Sequence, residues 1–223
     1  MPFVKKAAFL ALLLLGIRVA KSRHRRSLHP AGRSFRGELD IWGTLEPTGS
    51  ALLDEPSRWP VTIRLSKGIG TRGSRPDVLG VAIRLHGHGT DLLLSTAGSG
   101  RITRHLPAPR RSFASRYGSI TAYRTGSDRK VYLAAGPTGS GTPLGRDLDA
   151  VSAAALTGNA QLVIAVDDQP IGRVTFGELL PGDEDAALAF DPVRNSTPDL
   201  HPTGTIHGSR ALAYKVSQRW RRR

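Results

Sequence analysis

The chain has 223 residues, with 25 Gly, 15 Pro and no cysteine, so disulfides, thiolate catalysis and cysteine-ligated metal centres are excluded. Hydrophobic residues make up 39% and charged residues 22%, the composition of a globular chain, and the length suits one domain with extensions. The net charge is +14, but nine Lys/Arg and no acid fall in residues 1–36 and six with no acid in 210–223; the remaining 17 basic and 18 acidic residues leave the body near neutral, which argues against a nucleic-acid-binding stripe.

Lys5-Lys6 precede an eleven-residue apolar run, Ala7–Ile17, and Arg18, Lys21, Arg23, Arg25 and Arg26 follow it. A bilayer span needs about 20 apolar residues, and Arg18-Val19-Ala20 is a poor cleavage site. Residues 1–22 are therefore expected to form an uncleaved helix. It packs on the domain or rests on a membrane surface, the contact running through residues 4–26; secretion is the third option. Residues 23–223 make up the domain, and the expected location is the cytoplasm or the inner face of its membrane.

From residue 35 the pattern turns strand-like. Strands are expected over Ser34–Trp42, Pro60–Ser66, Val78–Leu85, Asp91–Thr96, Gly118–Thr125, Lys130–Ala135, Gln161–Val166 and Ile171–Phe176. Gly126-Ser-Asp and Asp167-Asp-Gln-Pro read as hairpin turns. Eight strands are enough to close an antiparallel β-barrel. Residues 97–115 and 136–146 read as loops, and the Ala-rich stretch 147–157 as a short helix. Leu179–Leu188 is mixed, Asp191–Pro202 loop-like, and Ser209–Arg223, free of Gly and Pro, reads as a terminal helix. The expected fold is mainly β, with flanking N- and C-terminal helices.

Four constellations can carry chemistry. Arg210, Tyr214, Ser217 and Arg221 share one face of the terminal helix, and an arginine four residues before a tyrosine can favour phenolate over phenol; a solvated polar face is the plainer alternative. Arg26-Ser-Leu-His29-Pro-Ala-Gly32 leads into the first strand. Arg64 and Ser66 are alternate residues on one strand face, and a buried arginine there needs an anion; solvation at an edge is the alternative. His86-Gly-His88 with Asp91, joined by His29, offers a metal-hydrolase reading in which nearby arginines hold a phosphoester. A further reading is a non-enzymatic basic module whose N- and C-terminal clusters bind an anionic partner, acidic lipid or nucleic acid. Ser50, Ser112 and Ser119 fall in no Ser–His–Asp order, and Gly68-Ile-Gly70 is no phosphate loop.

Taken in order, these segments resemble the haem catalase superfamily in a minimal form. Arg26-x-x-His29-x-x-Gly32 with Gly37-Glu38-Leu39 looks like its distal-histidine motif, and Val61-Thr-Ile-Arg-Leu-Ser66 like its Val-Arg-Phe-Ser strand. Asp77–Leu85, Asp91–Ser95 and Leu188-Ala-Phe-Asp-Pro192 are similar to three further segments, and Arg210-Ala-Leu-Ala-Tyr214 to its Arg-x-x-x-Tyr. The resemblance covers roughly residues 23–222 and lacks the family's large helical additions. It implies a haem b cofactor with Tyr214 as axial iron ligand, Arg210 holding it ionised, and His29 as distal base oriented by Ser66. It also implies that Arg26, Arg64 and Arg221 meet the haem propionates, with Ser217 at the family's offset. Ser95 stands where the family carries a distal asparagine. The implied activity is peroxide processing, with hydrogen peroxide or an organic or fatty-acid hydroperoxide as substrate.

Overall fold

The longest ladder of the structure joins β1 (Ala31–Ile41) to β2 (Ser57–Lys67), eleven residues against eleven. The computed structural model describes residues 29–203. β3 (Leu79–Leu85), β4 (Thr90–Ser95), β5 (Tyr117–Gly118), β6 (Tyr123–Thr125), β7 (Lys130–Val131), β8 (Leu133–Pro137), β9 (Gln161–Val166), β10 (Gln169–Leu179) and β11 (Leu200–Pro202) follow. Eight of them close an antiparallel barrel in the order β1-β10-β9-β8-β5-β4-β3-β2. The fold is thus the closed eight-stranded barrel that the strand count implies. Both terminal helices of the expectation lie outside the described residues.

Alternation decides what fills the barrel. Val61, Ile63 and Leu65 of β2 face inward beside Val81 and Ile83 of β3 and Leu92 and Leu94 of β4. Phe35 and Phe176 meet edge to face at 5.5 Å and close the seam between β1 and β10. The opposite face of β2 carries Thr62, Arg64 and Ser66, and these are buried as well. Among the described residues, three short α-helices lie outside the barrel: α1 (Ala51–Asp54), α2 (Leu148–Leu156) and α3 (Gly182–Ala187). α2 starts as expected, Asp147 Oδ1 accepting the Ala150 N–H at 2.9 Å. No helix among the described residues is long and apolar enough to cross a membrane.

The β9–β10 hairpin turns on Asp167 and Asp168 alone, with φ 46° and 71°, the doubly left-handed turn that suits the strand twist. The expected strand Gly118–Thr125 is instead broken in two. Only Tyr117–Gly118 belongs to the barrel; the chain turns at Ile120 (φ 23°), and β6, β7 and β11 make a separate three-stranded sheet. Ser119 ends the barrel ladder by exchanging bonds with Leu133, its N–H donating to the Leu133 carbonyl and its hydroxyl accepting the Leu133 N–H. The stretch read as loop over Asp191–Pro202 supplies β11.

The loop between β2 and β3 is held from both sides. The buried Lys67 ammonium donates to the carbonyls of Thr71, Gly73 and Arg75, and the buried Asp77 carboxylate accepts the N–H groups of Ile69 and Thr71. The loop after β4 is tied to it. Asp77 and Arg110 exchange both backbone bonds, and the Ala108 N–H donates to Thr96 O at 2.9 Å.

Candidate functional site

His29 enters the fold with φ 57°, a left-handed conformation uncommon for a residue with a side chain. Its N–H donates to Gly68 O at 3.1 Å and its carbonyl accepts Arg64 Nη1 at 3.3 Å. Its Nδ1 lies 2.9 Å from Ser66 Oγ. The Ser66 hydroxyl also points at Gly80 O, 3.4 Å away. When it donates there, it accepts Nδ1–H from His29, and Nε2 becomes the basic nitrogen of the ring. Backbone and ring are thus fixed by three separate contacts, the arrangement a proton-transfer histidine needs.

Gly80 makes room for that ring. A Cβ on Gly80 would sit 2.5 Å from His29 Cε1, 2.8 Å from Nδ1 and 3.0 Å from Ser66 Oγ. The register carries this small-residue pattern across the barrel: Gly32, Ser66, Gly80, Ser95, Gly118 and Ala134 are cross-strand neighbours in one row. Paired residues share a face, so the row forms a floor on the side away from the apolar interior, with the Arg64 guanidinium lying over Gly32 and the His29 ring over Gly80. A Cβ on Gly118 would meet nothing within 4 Å. A flat ligand laid on this floor beside the imidazole meets no bulky side chain from the row itself. The floor and the His29–Ser66 pair fit the distal side of a planar macrocycle such as haem. Ser95 is buried in the row, and its hydroxyl donates to Leu79 O at 3.3 Å.

Arg64 is buried beside this floor. Burial pulls its pKa below the ordinary guanidinium value, and the carboxylate of Asp185 opposes that pull. Its Nε donates to Asp185 Oδ1 at 3.1 Å, and the Ser34 hydroxyl donates to the same oxygen. A Cβ on Gly32 would come within 2.5 Å of the guanidinium, so that glycine opens the slot in which Arg64 lies. The anion that a buried arginine needs is therefore a carboxylate from α3. Sequence reasoning missed Asp185. Its one local signal is the acidic run Asp183-Glu-Asp185 just past the last barrel strand.

Asp91 and Arg84 do a different job from the one a metal reading gives them. Arg84 Nε and Nη2 grip the two oxygens of Asp91 at 2.8 and 2.7 Å. Asp91 Oδ2 also accepts the Asp191 N–H at 2.7 Å and the Asn195 Nδ2 at 2.9 Å, and Arg84 donates to Ala189 O at 2.6 Å. The guanidinium lies 4.9 Å from the centre of the Phe190 ring. This clamp pins the segment 189–195 to the barrel. His86 and His88 turn to the hydroxyls of Thr62 and Thr90, at 2.9 and 2.8 Å. No group of three or more His, Asp or Glu among the described residues could hold a metal ion. The metal-hydrolase alternative thus has no ligand set there, because Asp91 is consumed by a structural clamp.

Of the expected site residues, the structure brings His29, Ser66 and Ser95 to one floor and sets Arg64 at its edge. Arg26, Arg210, Tyr214, Ser217 and Arg221 lie outside the described residues, as does the proposed membrane contact through residues 4–26.

No family model matches the chain, and no curated protein does. Solved structures do. Catalase A from Saccharomyces cerevisiae superposes with a TM-score of 0.64 at 13% identity, over 88% of this chain and 61% of that one. A fungal catalase gives a TM-score of 0.63 at 14% identity, over 88% of this chain and 59% of that one. The chain thus spans about three-fifths of the length of these catalases. At such identities the likeness is one of architecture, and this chain has a catalase-like fold.

Proposed function

We propose that the chain binds haem b on the small-residue floor and works as a haem-dependent, peroxide-processing oxidoreductase. The observation that carries this reading is the His29–Ser66 pair, fixed at 2.9 Å over a row of glycine, serine and alanine on a catalase-like barrel. Haem would supply redox-active iron. Tyr214, four residues after Arg210, would hold the iron, with Arg210 favouring its phenolate form. Arg26, Arg64 and Arg221 are the proposed propionate partners, Arg64 sharing its guanidinium with Asp185. Ser217, three residues after Tyr214, is proposed to belong to the same site.

In this reading His29 takes a proton from one peroxide oxygen at Nε2 and delivers it to the other. Ser66 holds Nδ1, so the proton moves at one nitrogen only. Ser95 offers a hydroxyl that reaches less far than the asparagine of catalases and orients a small peroxide less firmly. Hydrogen peroxide and organic or fatty-acid hydroperoxides are both proposed as substrates. The test is turnover of the haem-reconstituted full chain against both substrate classes, with His29→Ala beside it. The reading expects His29→Ala to keep haem and lose turnover by about 100-fold or more; unchanged turnover would remove His29 from the mechanism.

A further inference from the structure

The near neutrality of the body hides an uneven distribution of charge. Between Asp91 and Asp128 the chain holds six arginines and no acid. Loops 68–78 and 96–116 leave adjacent strand ends and are joined through Asp77–Arg110. Their one acid, Asp77, is buried and spent on the N–H groups of Ile69 and Thr71. Arg72, Arg75, Arg101, Arg110 and Arg111 are exposed, and none of them forms an ion pair among the described residues.

The same two loops carry bulky aliphatic side chains in water. Ile69 is 74% exposed, Ile102 77% and Leu106 57%. Isolated exposed aliphatics are ordinary, but here they alternate with arginines in a pair of loops fastened to each other. His29 is fastened here, its N–H donating to Gly68 O, and in sequence it follows the apolar run Ala7–Ile17 and its flanking basic residues.

We propose that loops 68–78 and 96–116 form a docking surface for an anionic lipid bilayer. The arginines attract the lipid phosphates, and Ile69, Ile102 and Leu106 enter the headgroup layer. Nucleic acid is the poorer match, because exposed aliphatic side chains gain nothing from a phosphate backbone and neither loop exposes an aromatic ring for base stacking. The proposal does not depend on haem.

The test is co-sedimentation of the full chain with vesicles of phosphatidylcholine alone, and of phosphatidylcholine and phosphatidylglycerol in equal parts. Binding is expected to the anionic vesicles only and to weaken in high salt. Arg101→Gln with Arg111→Gln should lower partitioning about 10-fold or more, with both terminal basic clusters left in place. Ile102→Ser with Leu106→Ser should also weaken binding while the circular dichroism spectrum stays that of the wild type. As a measurement independent of those variants, Ile102→Trp should give a fluorescence blue shift with anionic vesicles beyond that of the wild type. Wild-type partitioning by both loop variants, or no added blue shift, would overturn the proposal. So would equal binding to duplex DNA that is indifferent to Ile102.

Discussion

Ser66 and His29 lie 37 residues apart in sequence, and their side chains meet at 2.9 Å. The contact exists because β1 and β2 pair in a register that sets Gly32 opposite Ser66, with His29 turning back over the strand end through its positive φ. Removing the hydroxyl should therefore change the imidazole more than the fold. Ser66→Ala is expected to cost about 1 kcal/mol in urea denaturation. The His29 nitrogen resonances should move at the same time, because Nδ1 loses the partner that fixes its proton. Unmoved resonances would show that Ser66 does not set the tautomer.

Two glycines of the same row should respond in opposite ways. Gly80→Ala puts a Cβ 2.5 Å from His29 Cε1, so the ring must leave its place. A cost of about 1–3 kcal/mol is expected, together with loss of the Ser66 contact. Gly118→Ala meets open space, and the haem-free protein should keep wild-type stability. If haem lies on the floor, Gly118→Ala should still weaken haem affinity. Thermal unfolding with and without haem separates the two effects.

The Arg84–Asp91 clamp predicts a structural lesion. Asp91 is fully buried and serves Arg84, Asp191 and Asn195 together. Asp91→Asn removes the charge that balances Arg84 and should cost about 3 kcal/mol. Amide exchange in residues 189–195 should accelerate first, because the carboxylate holds that segment to the barrel. Protection of 189–195 equal to wild type would contradict the clamp.

Asp54 gives the pH dependence a sign. Burial on its own raises the pKa of this carboxyl, but hydrogen bonds from Thr44, Thr48 and Gly49 outweigh it and the net shift is downward. The unfolded value is about 3.9. The group therefore adds stability in full above that pH and loses it as the pH falls through the lower folded value. Asp54→Asn should be less stable than wild type near neutrality and lose less on acidification below about pH 4. Parallel acid-unfolding curves would show that the carboxylate contributes nothing.

The barrel was legible in sequence where alternation runs long. Val61, Ile63 and Leu65 against Thr62, Arg64 and Ser66 mark β2 without help, and Asp167-Asp168 marks the β9–β10 turn. The middle of the chain was not legible. Whether residues 117–137 continue in the barrel or leave it is decided at Ser119 and Ile120, and by pairing with Leu200 and Pro202, some eighty residues on. The site was legible only in part. His29 and Ser66 could be matched through motif order, whereas Gly80 is needed for its lack of a Cβ beside a ring that no local pattern reveals. Asp185 satisfies an arginine 121 residues away, and its own neighbourhood reads as an ordinary acidic helix start. Asp91 looked like a ligand beside two histidines because sequence proximity does not show which way a carboxylate is turned.

The most direct test of the haem-site account is the absorption spectrum of the full chain, purified at high salt from haem-supplemented cells, with Tyr214→Phe beside it. Stoichiometric haem with the ferric bands of a tyrosinate ligand is expected, with loss of those bands in Tyr214→Phe. Absence of stoichiometric haem even after reconstitution, or an identical spectrum in Tyr214→Phe, would contradict it.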